Sequence, residues 1–129
     1  MRVELSERTL TLRAPLRTAF GTLRERAVVE LVLTGADGVA GRGEAAPLEP
    51  YDGVTLDDVR AALEGYRAVL AGADADDAPG GELLAACAAR ADLPQALSAV
   101  DLALWDRAGR REGVPVAALL AGAPADRVA

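Results

Sequence analysis

Fourteen basic and twenty acidic side chains carry the charge of this 129-residue chain, and it contains no histidine. Every basic residue is an arginine, because lysine is absent as well. A histidine-based triad, a histidine zinc site, a Schiff-base lysine and a phosphate-loop lysine are therefore all excluded within it. Arginine stays protonated at any ordinary pH and makes a poor proton acceptor. The side-chain bases that remain are carboxylates and the thiol of Cys87.

Each of these has a plain structural reading. Cys87 sits in an alanine-rich run at 83–89 with no imidazole to activate it, which predicts a buried small side chain. As the one cysteine, it can form no disulfide within the chain. Asp74, Asp76 and Asp77 form an Asp-x-Asp-Asp run, but the following glycine and distal glutamate of a calcium loop are missing, so a solvated loop is expected. Gly41-x-Gly43 lacks the third glycine and the helix of a dinucleotide fingerprint. Asp101 and Asp106 lie in a largely apolar segment, where pairing with arginines such as Arg107 or Arg110 fits better than metal ligation. The net charge of −6 argues against binding a nucleic-acid backbone. No signal-peptide h-region opens the chain and no run approaches the ~18 apolar residues of a membrane span, so a cytoplasmic location and no membrane partner are expected.

The elements that must hold these residues can be read from periodicity. With 51% hydrophobic residues, the chain has enough apolar content for one domain with one core. Residues 2–13 alternate, but their apolar parity switches from odd (Val3, Leu5) to even (Leu10, Leu12), predicting a bulge near Ser6 and Glu7. Ala14-Pro15 is expected to end that strand. Residues 26–34 form the strongest strand, with Val29, Leu31 and Leu33 on one face, and a glycine-bearing turn at 35–38 leads to a partner strand at 39–44. Helices follow. Thr55 with Asp58 makes a Thr-x-x-Asp capping box, and Val59, Leu63, Tyr66 and Leu70 then recur on one face. A loop at 72–81 precedes a short helix at about 82–90. Pro94 opens a longer helix running to about Ala108, with Leu93, Leu97, Val100, Leu104 and Ala108 on one face and Ala96, Ala99 and Ala103 on a second. Leu102 and Trp105 widen its apolar surface beyond what a lone domain would cover, and a last short helix spans 116–120. The fold class is α+β: a three-stranded antiparallel meander followed by a helical bundle.

Three stretches then carry a resemblance. Pro15-Leu16-Arg17-Thr18-Ala19-Phe20-Gly21-Thr22 follows the first strand, and Gly41-Arg42-Gly43-Glu44-Ala45-Ala46-Pro47 closes the third. Ala99-Val100-Asp101-Leu102-Ala103-Leu104-Trp105-Asp106 precedes Gly113-Val114-Pro115-Val116 and Leu119-Leu120-Ala121-Gly122. In order and spacing they resemble the N-terminal capping domain of the enolase superfamily, in its mandelate racemase and muconate lactonizing enzyme branch.

The resemblance implies an α+β capping domain at 1–92 and a helical segment at 93–129. That segment would lead through Arg127-Val128-Ala129 into the first strand of a (β/α) barrel that is absent from these residues. Such a barrel takes roughly 200–250 residues. By the resemblance it supplies the Mg2+ ligands and the acid/base groups that remove the proton α to a carboxylate, leaving no catalytic residue, bound metal or activity to this chain alone. The barrel, in cis or in trans, and a small carboxylate substrate are the implied partners. The box around Glu44 would be structural. Two loops, at about 15–25 and 47–54, would close the barrel mouth over the distal part of the substrate. Phe20 and Tyr51 would face it, and Arg24 would pair with a carboxylate. The plain alternative puts both aromatics in the core and leaves Arg24 solvated. Within the branch, the motifs lean toward the muconate lactonizing subgroup, and there toward o-succinylbenzoate synthases and dipeptide epimerases over racemases and cycloisomerases. A reading of another class is a stand-alone remnant or self-associating binding module, a homo-oligomer that covers the apolar helix with a second copy.

Overall fold

The computed structural model describes residues 1–73 and 81–121. The acidic run at Asp74, Asp76 and Asp77 and the expected approach to a barrel strand at 127–129 lie outside the described residues.

β-branched and leucine side chains alternating along β2 (Gly21–Thr34) decide which way the sheet faces. Val29, Leu31 and Leu33 are all buried. β1 (Arg2–Thr18) and β3 (Ala40–Ala45) pair with β2 on either side, both antiparallel, giving the meander order β1-β2-β3. Two expectations for β1 are corrected. Pairing runs unbroken from Arg2↔Thr34 to Thr11↔Glu25, so no bulge falls at Ser6 and Glu7. The apolar parity switches there because the strand leaves the core: Val3 is buried and Leu5 half-buried, but from Ser6 onward β1 carries no buried residue. Nor does Pro15 end the strand. The register shifts between Thr11 and Leu16, and pairing then resumes to Thr18↔Gly21. An edge strand tolerates a residue without an N–H when the extra residues bulge outward. The outcome is a two-stranded arm that projects from the domain.

Helices cover one sheet face. α2 (Leu56–Gly72) starts on the expected capping box: Thr55 Oγ1 accepts from Asp58 N–H at 3.1 Å, while Asp58 Oδ2 accepts from Thr55 N–H at 2.9 Å. Val59, Leu63, Tyr66 and Leu70 point into the core, as their spacing requires. Cys87, on α3 (Gly81–Ala88), is fully buried beside them.

α4 (Pro94–Glu112) lies on β3, with Pro94 in its first turn. Of its two expected apolar stripes, the alanine one is buried throughout and the other only in part. Ala96, Ala99, Val100, Ala103 and Leu104 are buried, whereas Leu97 and Ala108 are only half-buried. The reason lies in the Gly41-Arg42-Gly43 segment. A Cβ placed on Gly41 would lie 2.0 Å from the Ala103 carbonyl oxygen, and one on Gly43 would lie 1.8 Å from that of Ala99. Strand and helix backbones therefore touch, and only small side chains fit between them. Gly109 makes a similar approach to the segment leading into α5 (Val116–Leu120).

Arginines and an aspartate on the helices blunt both sheet edges. Arg67 donates to the Val3 carbonyl at 2.7 Å and Arg60 pairs with Glu7, while Asp106 accepts the outward N–H of Arg42 at 2.9 Å. Asp106 also pairs with Arg110 at 2.9 Å, as expected, but Arg107 turns to the β2–β3 turn and grips both carboxylate oxygens of Asp37, at 2.7 and 2.8 Å. The far side of α4 keeps an apolar surface: Leu102 is 52% exposed and lines a groove with Trp105 and Val116. No helix among the described residues is long and apolar enough to cross a membrane.

Candidate functional site

The arm brings the first predicted loop to a tight end. Thr18 and Gly21 pair across a two-residue turn, Ala19-Phe20. The Thr18 hydroxyl holds it, accepting from Phe20 N–H at 3.2 Å and donating to the Gly21 carbonyl at 2.9 Å. Gly21 sits at φ +125°, where a Cβ would be strained. Phe20 is thereby fixed at the tip, 57% exposed.

The second predicted loop contains α1 (Glu49–Asp52), a single helical turn that buries none of its residues. Pro50 opens it and Gly53, at φ +70°, ends it in the left-handed conformation. The Asp52 carboxylate organises the segment, accepting from Leu48 N–H at 3.0 Å, Val54 N–H at 2.9 Å and the Gln95 side-chain amide at 3.1 Å. The two backbone N–H groups, with Gln95 adding to them, hold the Asp52 carboxyl below the usual carboxylate range. Tyr51, next to it, is 71% exposed.

The two loops meet at both ends. At the base, Arg26 donates to the Ala46 carbonyl at 2.6 Å, beside a small groove lined by Leu23, Pro47, Leu48 and Val54. At the top, Phe20 and Tyr51 are edge to face, with ring centroids 5.5 Å apart and planes at 73°. Such a contact contributes about 0.5–1.5 kcal/mol beyond the area it covers. Both rings stand outside the core, which removes the plain alternative of core packing.

Arg24 is exposed on β2, where β1 bulges between Thr11 and Leu16, and forms no ion pair among the described residues. Sequence reasoning missed Thr18, Arg26, Asp52 and Gln95. Asp52 carried the stronger local signal, since Asp-Gly is a turn dipeptide and an aspartate accepting the N–H two residues on is an Asx turn, and the Thr18 hydroxyl makes the weaker equivalent with Phe20.

The geometry is thus two exposed aromatic edges in contact, with Arg24 exposed on the same arm. Among the described residues, no three His, Cys, Asp or Glu side chains cluster in a way that would hold a metal ion. Cys87 offers no nucleophile there, since burial pushes its thiol up to about 11.

Known proteins extend this picture. A hydrophobic dipeptide epimerase of Citrifermentans bemidjiense is 38% identical over 114 residues, covering 85% of this chain and 30% of that protein. The dipeptide epimerase of Methylococcus capsulatus, solved with Mg and the dipeptide L-Arg-D-Lys, superposes with a TM-score of 0.80. It is 30% identical, over 92% of this chain and 34% of that one. A substrate-liganded L-Ala-D/L-Glu epimerase of Bacillus subtilis gives a TM-score of 0.75 at 26% identity, over 95% of this chain and 34% of that one. The chain therefore spans about a third of the length of the relatives it matches. The family model described as "Mandelate racemase / muconate lactonizing enzyme, N-terminal domain" matches residues 1–121. The expected enolase-superfamily fold is the observed one, and this chain belongs to the mandelate racemase / muconate lactonizing enzyme N-terminal domain family.

Proposed function

We propose that this chain is the substrate-selecting cap of a dipeptide epimerase. The complete enzyme would remove and return the proton on the carbon α to a carboxylate. The observation that carries the reading is the aromatic pair: Phe20 and Tyr51, 31 residues apart in sequence, meet edge to face while more than half exposed. A soluble domain gains little by exposing two aromatic rings in contact unless a partner or substrate covers them. The 38% identity to a hydrophobic dipeptide epimerase supports an apolar dipeptide as the occupant. Arg24, unpaired among the described residues, is assigned to a carboxylate of that substrate.

Residues 1–92 form the cap proper in this reading, and 93–129 lead into a barrel supplied in cis or in trans. Mg2+ and the proton-transferring groups are assigned to that barrel, a reading supported by the Mg-bound dipeptide epimerase of Methylococcus capsulatus, of which this chain covers 34%. The part of this chain is to bind, orient and exclude water. The exposed Leu102 side of α4 is assigned to contact with the rest of the enzyme. The relatives named above are epimerases, which favours this reading over that of an o-succinylbenzoate synthase.

The test uses the complete enzyme, comparing wild type with Phe20→Ala and Tyr51→Ala across dipeptides of different side chains. Removing an aromatic that covers an apolar side chain lowers kcat/KM for apolar dipeptides by about tenfold to a hundredfold, and that for small or charged ones far less. A uniform loss, or a change below about twofold for apolar dipeptides, overturns the assignment.

A further inference from the structure

We propose that Asp52 is a positioning residue: its carboxylate clamps residues 48–54 to α4 and so holds Tyr51 against Phe20. The proposal rests on the reading of those two rings as the substrate-facing surface. α1 cannot hold itself. It is four residues long, buries none of them, and has no side-chain cap at its N-terminus. A single helical turn is unfavourable in water without outside support. Asp52 supplies that support at three points. Leu48 N–H lies at the start of the turn and Val54 N–H just past its end, so one carboxylate joins both ends. The third donor, Gln95 Nε2, sits in the first turn of α4 and ties the loop to the helix that rides on β3.

The chemistry requires a carboxylate. Oδ2 takes two donors and Oδ1 takes one, so all three partners are donors. An asparagine amide would turn its NH2 toward at least one N–H in either orientation. The Gln95 amide is itself oriented by this demand. It gives its NH2 to Asp52 and leaves its Oε1 buried without a hydrogen-bond partner among the described residues.

The experiment is NMR on the 129-residue chain, without substrate, for wild type, Asp52→Ala, Asp52→Asn and Gln95→Met. Three readouts are taken: the Phe20–Tyr51 ring cross-peaks, hydrogen exchange at the Leu48 and Val54 amides, and the urea midpoint from Trp105 fluorescence. Asp52→Ala is expected to erase the ring cross-peaks and speed exchange at both amides by at least about tenfold, with exchange in β2 and α4 unchanged. Asp52→Asn restores these only in part, and Gln95→Met weakens the ring contact while leaving the Val54 amide protected. Persistence of the cross-peaks and of amide protection in Asp52→Ala overturns the proposal. So does their loss only in step with the urea midpoint, because that would make Asp52 a general stability residue. No readout involves substrate, so the clamp stands or falls separately from the dipeptide assignment.

Discussion

Replacing Gly43 by alanine tests whether the glycines of β3 exist to admit α4. An alanine Cβ there would lie 1.8 Å from the Ala99 carbonyl oxygen and 2.8 Å from its carbon. Ordinary contact begins at 3.4 Å, so helix and strand must separate by about 1.6 Å at that point. The obstacle is backbone, so no rotamer change relieves it, and Ala99→Gly gives no rescue. Separation opens an interface in which Ala96, Ala99, Val100 and Ala103 are wholly buried, and a gap of 0.5–1 Å already forfeits roughly a quarter to a half of each contact's attraction. Strain from overpacking adds about 1–3 kcal/mol, giving an expected loss of roughly 3–5 kcal/mol. The same substitution at Gly65 is the internal control. That glycine is exposed within α2, with nothing within 4 Å of an added Cβ, so Gly65→Ala should stabilise by about 0.5–1 kcal/mol. Urea denaturation followed by Trp105 fluorescence measures both. A Gly43→Ala cost below about 1 kcal/mol, or rescue by Ala99→Gly, refutes the close-approach argument.

Two further predictions concern ionisable groups. Burial raises the Cys87 thiol from its ordinary 9.0 to about 11, so alkylation at pH 8 should run roughly a hundredfold slower in the folded chain than in urea. Equal rates would mean that the α3 packing is not as described. Asp37, Asp52, Asp58 and Glu64 are all held below their ordinary values, chiefly by N–H donors from Val39, Leu48 and Val54 and by the side chains of Thr55 and Arg67. Each lowered group stabilises the fold fully above its unfolded pKa and loses that contribution as pH falls through its folded value. The urea midpoint should therefore hold from about pH 7 to 5 and fall steadily below about pH 4, and a midpoint that rises with acidification contradicts these pairings.

Local chemistry was legible wherever short-range physics decides the outcome. The Thr55–Asp58 capping box, the buried face of Val59, Leu63, Tyr66 and Leu70, and the Val29, Leu31 and Leu33 stripe all follow from spacing alone. Long-range packing was not legible in the same way. The even parity of Leu10 and Leu12 looked like a bulge, because periodicity does not tell a strand that slips from one that leaves the core. The alanine face of α4 took precedence over its leucines because two glycines more than fifty residues earlier let the backbones touch. At the site, family motifs pointed to Phe20 and Tyr51, but nothing local to either residue gives their contact. That contact depends on the length of the arm and on Asp52, whose three donors come from separate points of the chain.

The most direct test of the capping account is Cα-proton exchange of an apolar dipeptide in deuterium oxide, read by mass spectrometry. It would be run with this chain alone and with the chain joined to or mixed with its barrel in the presence of Mg2+. The account predicts no exchange with the chain alone and turnover with both parts, reduced for apolar dipeptides when Phe20 or Tyr51 is truncated. Exchange by the 129 residues alone, or none once the barrel is supplied, would contradict it.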